Sequence, residues 1–245
     1  MKFLKEILGR ILALWAMLWF VILMFIFLIP ILIIGIWKDP KRTNMLCKLF
    51  RIWIDLYFFI IGIRLKVKGK ENFIKGETYI VVCNHNTLLD IPVSTPHIIG
   101  GNKTIAKIEM SRIPLFGIIY KSGSVLVDRK NDESRKASYL KMKEVLGMGL
   151  HMCIYPEGTR NRTKEPLQRF HGGAFRLAVD TQHSILPAVI FNTSSILPND
   201  KTFYFWPGKI EMHFLPAVAP GSMPADQLKE KIFNQMKDHY VQHRS

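Results

Sequence analysis

The run Asn84-His85-Asn86-Thr87-Leu88-Leu89-Asp90 holds the two side chains best suited to moving a proton. A carboxylate on one imidazole nitrogen fixes the tautomer and stabilises the imidazolium. The other nitrogen is then free to take a proton from a hydroxyl, a contribution typically worth about 10²–10⁴-fold in rate. The spacing alone is weak, because a histidine that only caps a turn is commoner than a catalytic one. Further blocks strengthen it. Ala106-Lys107-Ile108-Glu109-Met110, Gly123-Ser124-Val125-Leu126-Val127-Asp128-Arg129 and Tyr155-Pro156-Glu157-Gly158-Thr159-Arg160 each place a basic residue at or near the end of a β-like run. Lys107, Arg129 and Arg160 could therefore converge on one rim. Guanidinium groups grip phosphate bidentately, and lysine adds a point charge. Gly158 permits a tight turn and close backbone approach to a ligand. Taken singly, each basic residue reads as a solvated strand end, and Asp128 as a partner for a neighbouring arginine.

These side chains need a scaffold. Tyr79–Cys83 (YIVVC) runs straight into His85, and a strand end delivers its last side chains to the rim where α/β proteins place ligands. Thr104–Ile108, Ser124–Val127, Met152–Tyr155 and Ile185–Ile190 also read as strands. Helices are expected over Ser134–Met148, Gly173–Thr181 and Asp226–His239. The alternation implies an α/β fold, with a mixed, partly parallel sheet covered by helices.

Ahead of this lies a membrane-attachment region. Ile11 to Trp37 carries no charged side chain and is long enough to cross a hydrocarbon core of about 30 Å. Pro30 is expected to kink or divide it near Ile29. A second apolar stretch, Leu49 to Ile63, contains Arg51 and Asp55 and reads as interfacial. Two arrangements follow: one transmembrane helix, or a two-helix hairpin dipping into one leaflet. Basic residues flank the first stretch on both sides (Lys2, Lys5, Arg10; Lys38, Lys41, Arg42), which favours the hairpin. Residues 1–66 are thus expected to form the attachment region and 67–245 the α/β domain.

The 245 residues carry a formal net charge of +15 and are 49% hydrophobic, with 16 Phe and 5 Trp. A basic excess beside a membrane segment suits anionic lipid better than nucleic acid. Cys47, Cys83 and Cys153 form no CxxC pair and point to reduced thiols in a cytosolic compartment. No zinc pattern, HExxH, phosphate-binding loop, dinucleotide fingerprint or GxSxG elbow occurs, so no metal, cofactor or nucleic-acid partner is expected.

The ordered blocks NHxxxxD, GSVLVDR, YPEGTR and the proline-containing ILPA resemble those of the PlsC-like 1-acyl-sn-glycerol-3-phosphate acyltransferases, over roughly residues 80–191. The NHxxxxD and PEGTR pair is the specific part; ILPA is weak. The resemblance implies transfer of a fatty acyl chain from acyl-CoA or acyl-carrier protein to the free hydroxyl of a lysophospholipid, by default lysophosphatidic acid, giving phosphatidic acid. His85 would be the base and Asp90 its support, with no acyl-enzyme. Lys107, Arg129, Glu157, Gly158, Thr159 and Arg160 match positions the family uses for the acceptor and its phosphate. The expected partners are membrane lipids, the lysophospholipid and the acyl donor. The expected location is the cytoplasmic membrane, with the catalytic domain on the cytoplasmic side. One departure stands out. Family members often read FKxGAF after PEGTR, whereas here His171 replaces the lysine in Phe170-His171-Gly172-Gly173-Ala174-Phe175. Another lysolipid, such as a lyso-aminolipid, is the alternative acceptor. A membrane-anchored protein that only grips anionic lipid is the alternative of another class.

Overall fold

The chain opens with two long helices, α1 (Lys2–Ile34) and α2 (Lys41–Ile60), in a computed structural model that describes residues 2–128, 130–163 and 165–244. Strands β1 (Arg64–Lys68) and β2 (Tyr79–Cys83) follow, then α3 (Asp90–Ser94), β3 (Asn102–Lys107), α4 (Phe116–Ser122) and β4 (Ser124–Val127). The remainder is α5 (Asp132–Gly147), β5 (His151–Ile154), α6 (Gly173–Thr181), β6 (Ser184–Phe191), α7 (Thr193–Ile196), β7 (Lys209–Phe214) and α8 (Ala225–His243).

The strands make one sheet in the order β1-β7-β6-β2-β5-β3-β4. Every neighbouring pair is parallel except β6 and β7. This is the mixed α/β sheet expected. The central strands are continuous apolar runs because both faces are covered. Alternate residues serve opposite layers. Ile80 and Val82 of β2 face one core with Met142, Leu146, Phe175, Ile232 and Met236. Tyr79, Val81 and Cys83 face another with Ala13, Ile54, Phe58 and Val93.

Strands β1 and β7 are absent from the sequence-based expectation. β1 reads Arg-Leu-Lys-Val-Lys, and its burial alternates because it is an edge strand. Its charged residues make it look like a linker. Since Arg64, Leu65 and Lys66 pair with β7, the division expected after residue 66 falls inside the sheet. Pro30 does not divide α1, which runs unbroken to Ile34. It lies near the C-terminal end, so only one short turn follows the hydrogen bond that its missing N–H removes.

Helices α1 and α2 run antiparallel. The Tyr57 hydroxyl donates to Ala16 O at 3.1 Å, and Trp53 stacks on both Phe20 and Phe27. Both ends of this hairpin are fastened to the α/β domain. Near the N-terminus, Phe205 N–H donates to Gly9 O at 3.1 Å and Lys201 pairs with Glu6. A Cβ at Gly9 would collide with the Tyr204 ring, so only glycine allows this approach. At the tip between the helices, Asp39 accepts from Lys103 Nζ of β3 at 2.7 Å and from Arg42 and Thr43. Burial pushes the Asp39 carboxyl up, but those hydrogen bonds outweigh it and hold the group well below the usual carboxylate range. The outward face of α1 is a band of exposed Phe3, Ile7, Ile11, Leu18, Phe25 and Ile29.

Candidate active site

β2, β3, β4, β5 and β6 run parallel, so their carboxyl ends share one rim. There Cys83 pairs with Ala188, and Lys107 with Val127. At this rim β2 hands the chain to Asn84, whose side chain acts as an extra strand residue. Its Nδ2–H donates to Ile190 O at 3.0 Å, and Ile190 N–H donates to its Oδ1 at 2.7 Å. Fully buried, Asn84 pins the start of the loop to β6.

The loop then wraps around the carboxylate of Asp90, the first residue of α3, which is fully buried. Asp90 Oδ2 accepts from Asn86 N–H at 2.5 Å and Thr87 N–H at 2.7 Å, and it faces His85 Nδ1 at 2.8 Å. The Thr193 hydroxyl donates to Oδ1 at 2.6 Å. Two of the three groups on Oδ2 are backbone N–H donors, so that oxygen can only accept. His85 must therefore carry its proton on Nδ1 and present a basic Nε2. Among the described residues nothing bonds Nε2, and the side chain is 14% exposed. Beneath the ring lies Tyr155, with centroids 4.5 Å apart, held by a 2.6 Å hydrogen bond between its hydroxyl and Ser94 Oγ. The dyad can thus serve as a directed base, with one open nitrogen at the rim.

The turn after β5 fastens the backbone of His85 on both sides. Glu157 Oε1 accepts His85 N–H at 2.8 Å, and Asn161 N–H donates to His85 O at 2.6 Å. Glu157 Oε2 accepts Gln168 N–H at 3.0 Å. Glu157 was expected among the substrate-binding residues. It is instead 2% exposed with both oxygens committed to backbone donors, so it holds the loop rather than facing a ligand. Burial pushes its carboxyl up to about 7. Gly158 has φ +71°, the left-handed region in which a side chain costs about 1–2 kcal/mol, and closes the turn with its N–H on Tyr155 O.

Thr159 is exposed, and Arg160 is half-buried with a guanidinium that makes no ion pair among the described residues. Both lie in the turn beside His85. Lys107 ends β3 at the same rim, two strands from β2 and so about 10 Å away in the sheet plane. It is exposed and pairs with Glu109 at 3.1 Å. Arg129 lies outside the described residues. Asp128 before it accepts Lys130 N–H at 3.0 Å in the turn leading to α5. His171 has an exposed side chain and a backbone N–H on Pro156 O at 2.8 Å, beside the same turn. The sequence reading did not find Thr193, Tyr155 or Asn161 as parts of the site. Tyr155 was visible as the residue before Pro-Glu-Gly-Thr-Arg, whereas Thr193 reaches Asp90 from 103 residues away, with no local signal.

Residues 64–191, just over half of the chain, match the Acyltransferase family model. This parallel-rim α/β domain with its His–Asp dyad belongs to the acyltransferase family. A Borreliella burgdorferi protein named 1-acyl-sn-glycerol-3-phosphate acyltransferase is 31% identical over 153 residues, 60% of this chain and 59% of that one. A Helicobacter pylori protein of the same name is 28% identical over 216 residues, 86% of this chain and 90% of that one. The crystal structure of the Thermotoga maritima 1-acyl-sn-glycerophosphate (LPA) acyltransferase PlsC superposes with a TM-score of 0.82 at 22% identity, covering 98% and 99% of the two chains. It also shares the fold of the helical hairpin as well as of the sheet, given that coverage.

Proposed function

We propose that this chain is a membrane-attached 1-acyl-sn-glycerol-3-phosphate acyltransferase, making phosphatidic acid for phospholipid biosynthesis from lysophosphatidic acid and an acyl thioester of coenzyme A or acyl-carrier protein. The observation that carries the reading is the open Nε2 of His85, opposite an Nδ1 fixed on buried Asp90 at 2.8 Å. The acceptor hydroxyl gives its proton to Nε2 while its oxygen attacks the thioester carbonyl. The imidazolium is stabilised by the Asp90 charge. Collapse of the tetrahedral intermediate breaks the C–S bond, and the leaving thiolate takes the proton back from His85. Arg160, with Arg129 and Lys107, supplies positive charge for the acceptor phosphate. Glu157 and Asn161 position the base through its backbone.

The fastening of both hairpin ends supports attachment to one leaflet. A spanning helix would carry its far end about 30 Å away, across the bilayer. Here the tip is joined to Lys103 of β3. α1, the one helix among the described residues that is long and apolar enough to cross a membrane, would instead lie along the domain and bury its exposed band in the leaflet. The catalytic domain then stays on the side of the leaflet that it touches, which this reading takes to be the cytoplasmic one.

The decisive assay uses purified protein in lipid micelles with labelled acyl-CoA and acyl-carrier protein, with and without lysophosphatidic acid. His85→Ala should lower transfer by at least about 100-fold. Transfer retained in that variant removes the base from His85. Acyl release at full rate without acceptor replaces the reading with hydrolysis.

A further inference from the structure

A second cluster of histidines lies two strands from β2, on the face that α8 covers, and among the described residues it makes no hydrogen bond to the dyad. His213 is on β7, and His239 and His243 are on the last turns of α8. One nitrogen from each ring lies within 4.8 Å of the others. His239 and His243 stand four residues apart on a helix, which puts both rings on one face. They stack with centroids 4.0 Å apart, and His213 meets both edge-on. The geometry points to a binding site for a divalent transition metal of the zinc class, held by His213, His239 and His243.

Four features carry this. First, the free nitrogens are identified by what the other nitrogens do. His213 Nε2 is 2.9 Å from Glu211 Oε2, so it donates there and turns the lone pair of Nδ1 inward. His243 Nδ1 is 3.0 Å from His239 O, so it donates to its own helix and leaves Nε2 with a lone pair. His213 Nδ1 and His239 Nε2 already face each other at 2.9 Å.

Second, the facing pair is already close to the spacing a metal needs, and the third ring closes on it from within 4.8 Å. Tetrahedral ligands at about 2.0–2.1 Å from zinc stand about 3.3 Å apart, so the facing pair opens by only a few tenths of an ångström. The proton between those two nitrogens belongs to His239 Nε2; as the metal enters it leaves to solvent and His239 Nδ1 takes one up, so the ring binds as a neutral imidazole.

Third, Glu211 behind His213 is the outer carboxylate that metal-bound histidines commonly use to fix ring orientation and raise basicity. It also pairs with Lys68 at 2.9 Å and Lys209 at 2.5 Å, so its single negative charge is shared between two ammonium groups and His213. Fourth, the apolar wall and the entry path both exist. Phe191 packs on His213 with centroids 5.0 Å apart and stacks on Tyr240. On the other side His239 and Gln242 line an open surface cleft of about 280 Å³. The cysteine-based and HExxH patterns do not cover this site, because two ligands sit on a helix and the third on a distant strand. A metal there would clip the end of α8 to β7.

The test is titration of the purified, chelator-treated full chain with Zn²⁺ by calorimetry, and with Co²⁺ by visible absorption. Wild type should bind one ion and give the intense visible band of a low-coordinate Co²⁺ site. His243→Ala, at the exposed end of the helix, leaves the fold alone. It and His239→Ala should weaken binding by at least about tenfold, the lower edge of what losing even an outer-shell partner costs. His183→Ala, outside the cluster, should bind as wild type does. Wild type that takes up no zinc at micromolar concentration, or His243→Ala and His239→Ala chains that bind as tightly as wild type, overturn the assignment.

Discussion

Replacing Asp90 with asparagine separates the charge of the dyad from its geometry. The amide must keep an acceptor where Oδ2 stands, because Asn86 and Thr87 N–H both point there. Its NH₂ then faces Thr193 Oγ1, which can rotate to accept. The reversed amide would aim two hydrogens at two N–H donors. His85 therefore keeps its Nδ1 proton and its orientation and loses only the negative charge beside it. Two unit charges 2.8 Å apart interact by about 6 kcal/mol at an effective dielectric of ~20. The amide dipole and solvent recover part of that. At about 1.4 kcal/mol per tenfold, the remaining deficit predicts a fall in kcat of about 10²–10⁴-fold. KM for the acceptor should move little. The assay is steady-state transfer from a labelled thioester at saturating lysophosphatidic acid, with unfolding followed in parallel. A kcat within about threefold of wild type, in a variant that binds acceptor normally, would refute the claim that the Asp90 charge stabilises a protonated His85.

Other expectations follow from the same geometry. Arg160→Ala should raise KM for the acceptor by about 10–100-fold, the worth of a charge-assisted hydrogen bond, with kcat nearly intact; a fall confined to kcat would place Arg160 elsewhere in the reaction. Burial raises the Glu157 carboxyl from 4.5 to about 7, so the folded state binds the proton more tightly than the unfolded chain. Its contribution is fully present below pH 4.5 and is lost as pH rises through 7, by about 3 kcal/mol in all. Denaturant unfolding of wild type should therefore show a decline over that window, and Glu157→Gln should flatten it; an unchanged slope counts against the burial argument. Asp39→Ala leaves Lys103, which is 6% exposed, without its partner and should cost about 3–5 kcal/mol of stability. Chemical unfolding followed by tryptophan fluorescence measures this, and a change below 1 kcal/mol, on the order of an exposed pair, means the tip is not held there.

Much of the scaffold could be read from the chain because local pattern and tertiary role agreed. YIVVC is fully buried in the central strand, and Gly173–Thr181 is the helix its periodicity predicts. Where the two diverged, reading failed. The edge strand Arg64–Lys68 faces solvent on alternate residues and carries three cations, so its pattern resembles a tether more than a sheet element. His85 and Asp90 were legible because a single loop makes their contact. Glu157 was misplaced among ligand-binding groups because its partner, His85 N–H, is 72 residues away and a motif does not reveal which way a side chain turns. His213 and His239 illustrate the same limit, since 26 residues and a change from strand to helix separate them.

Under the proposed attachment to one leaflet, the clasp between Asp39 and Lys103 bears on traffic as well as on anchoring. A hairpin that lies flat can exchange lipid only with the monolayer it touches. Under the proposed function, the single-chain acceptor is drawn from that monolayer and the two-chain product returned to it. Each turnover would widen one side of the bilayer and leave the other unchanged. Balanced growth would then depend on a separate protein that carries finished lipid across.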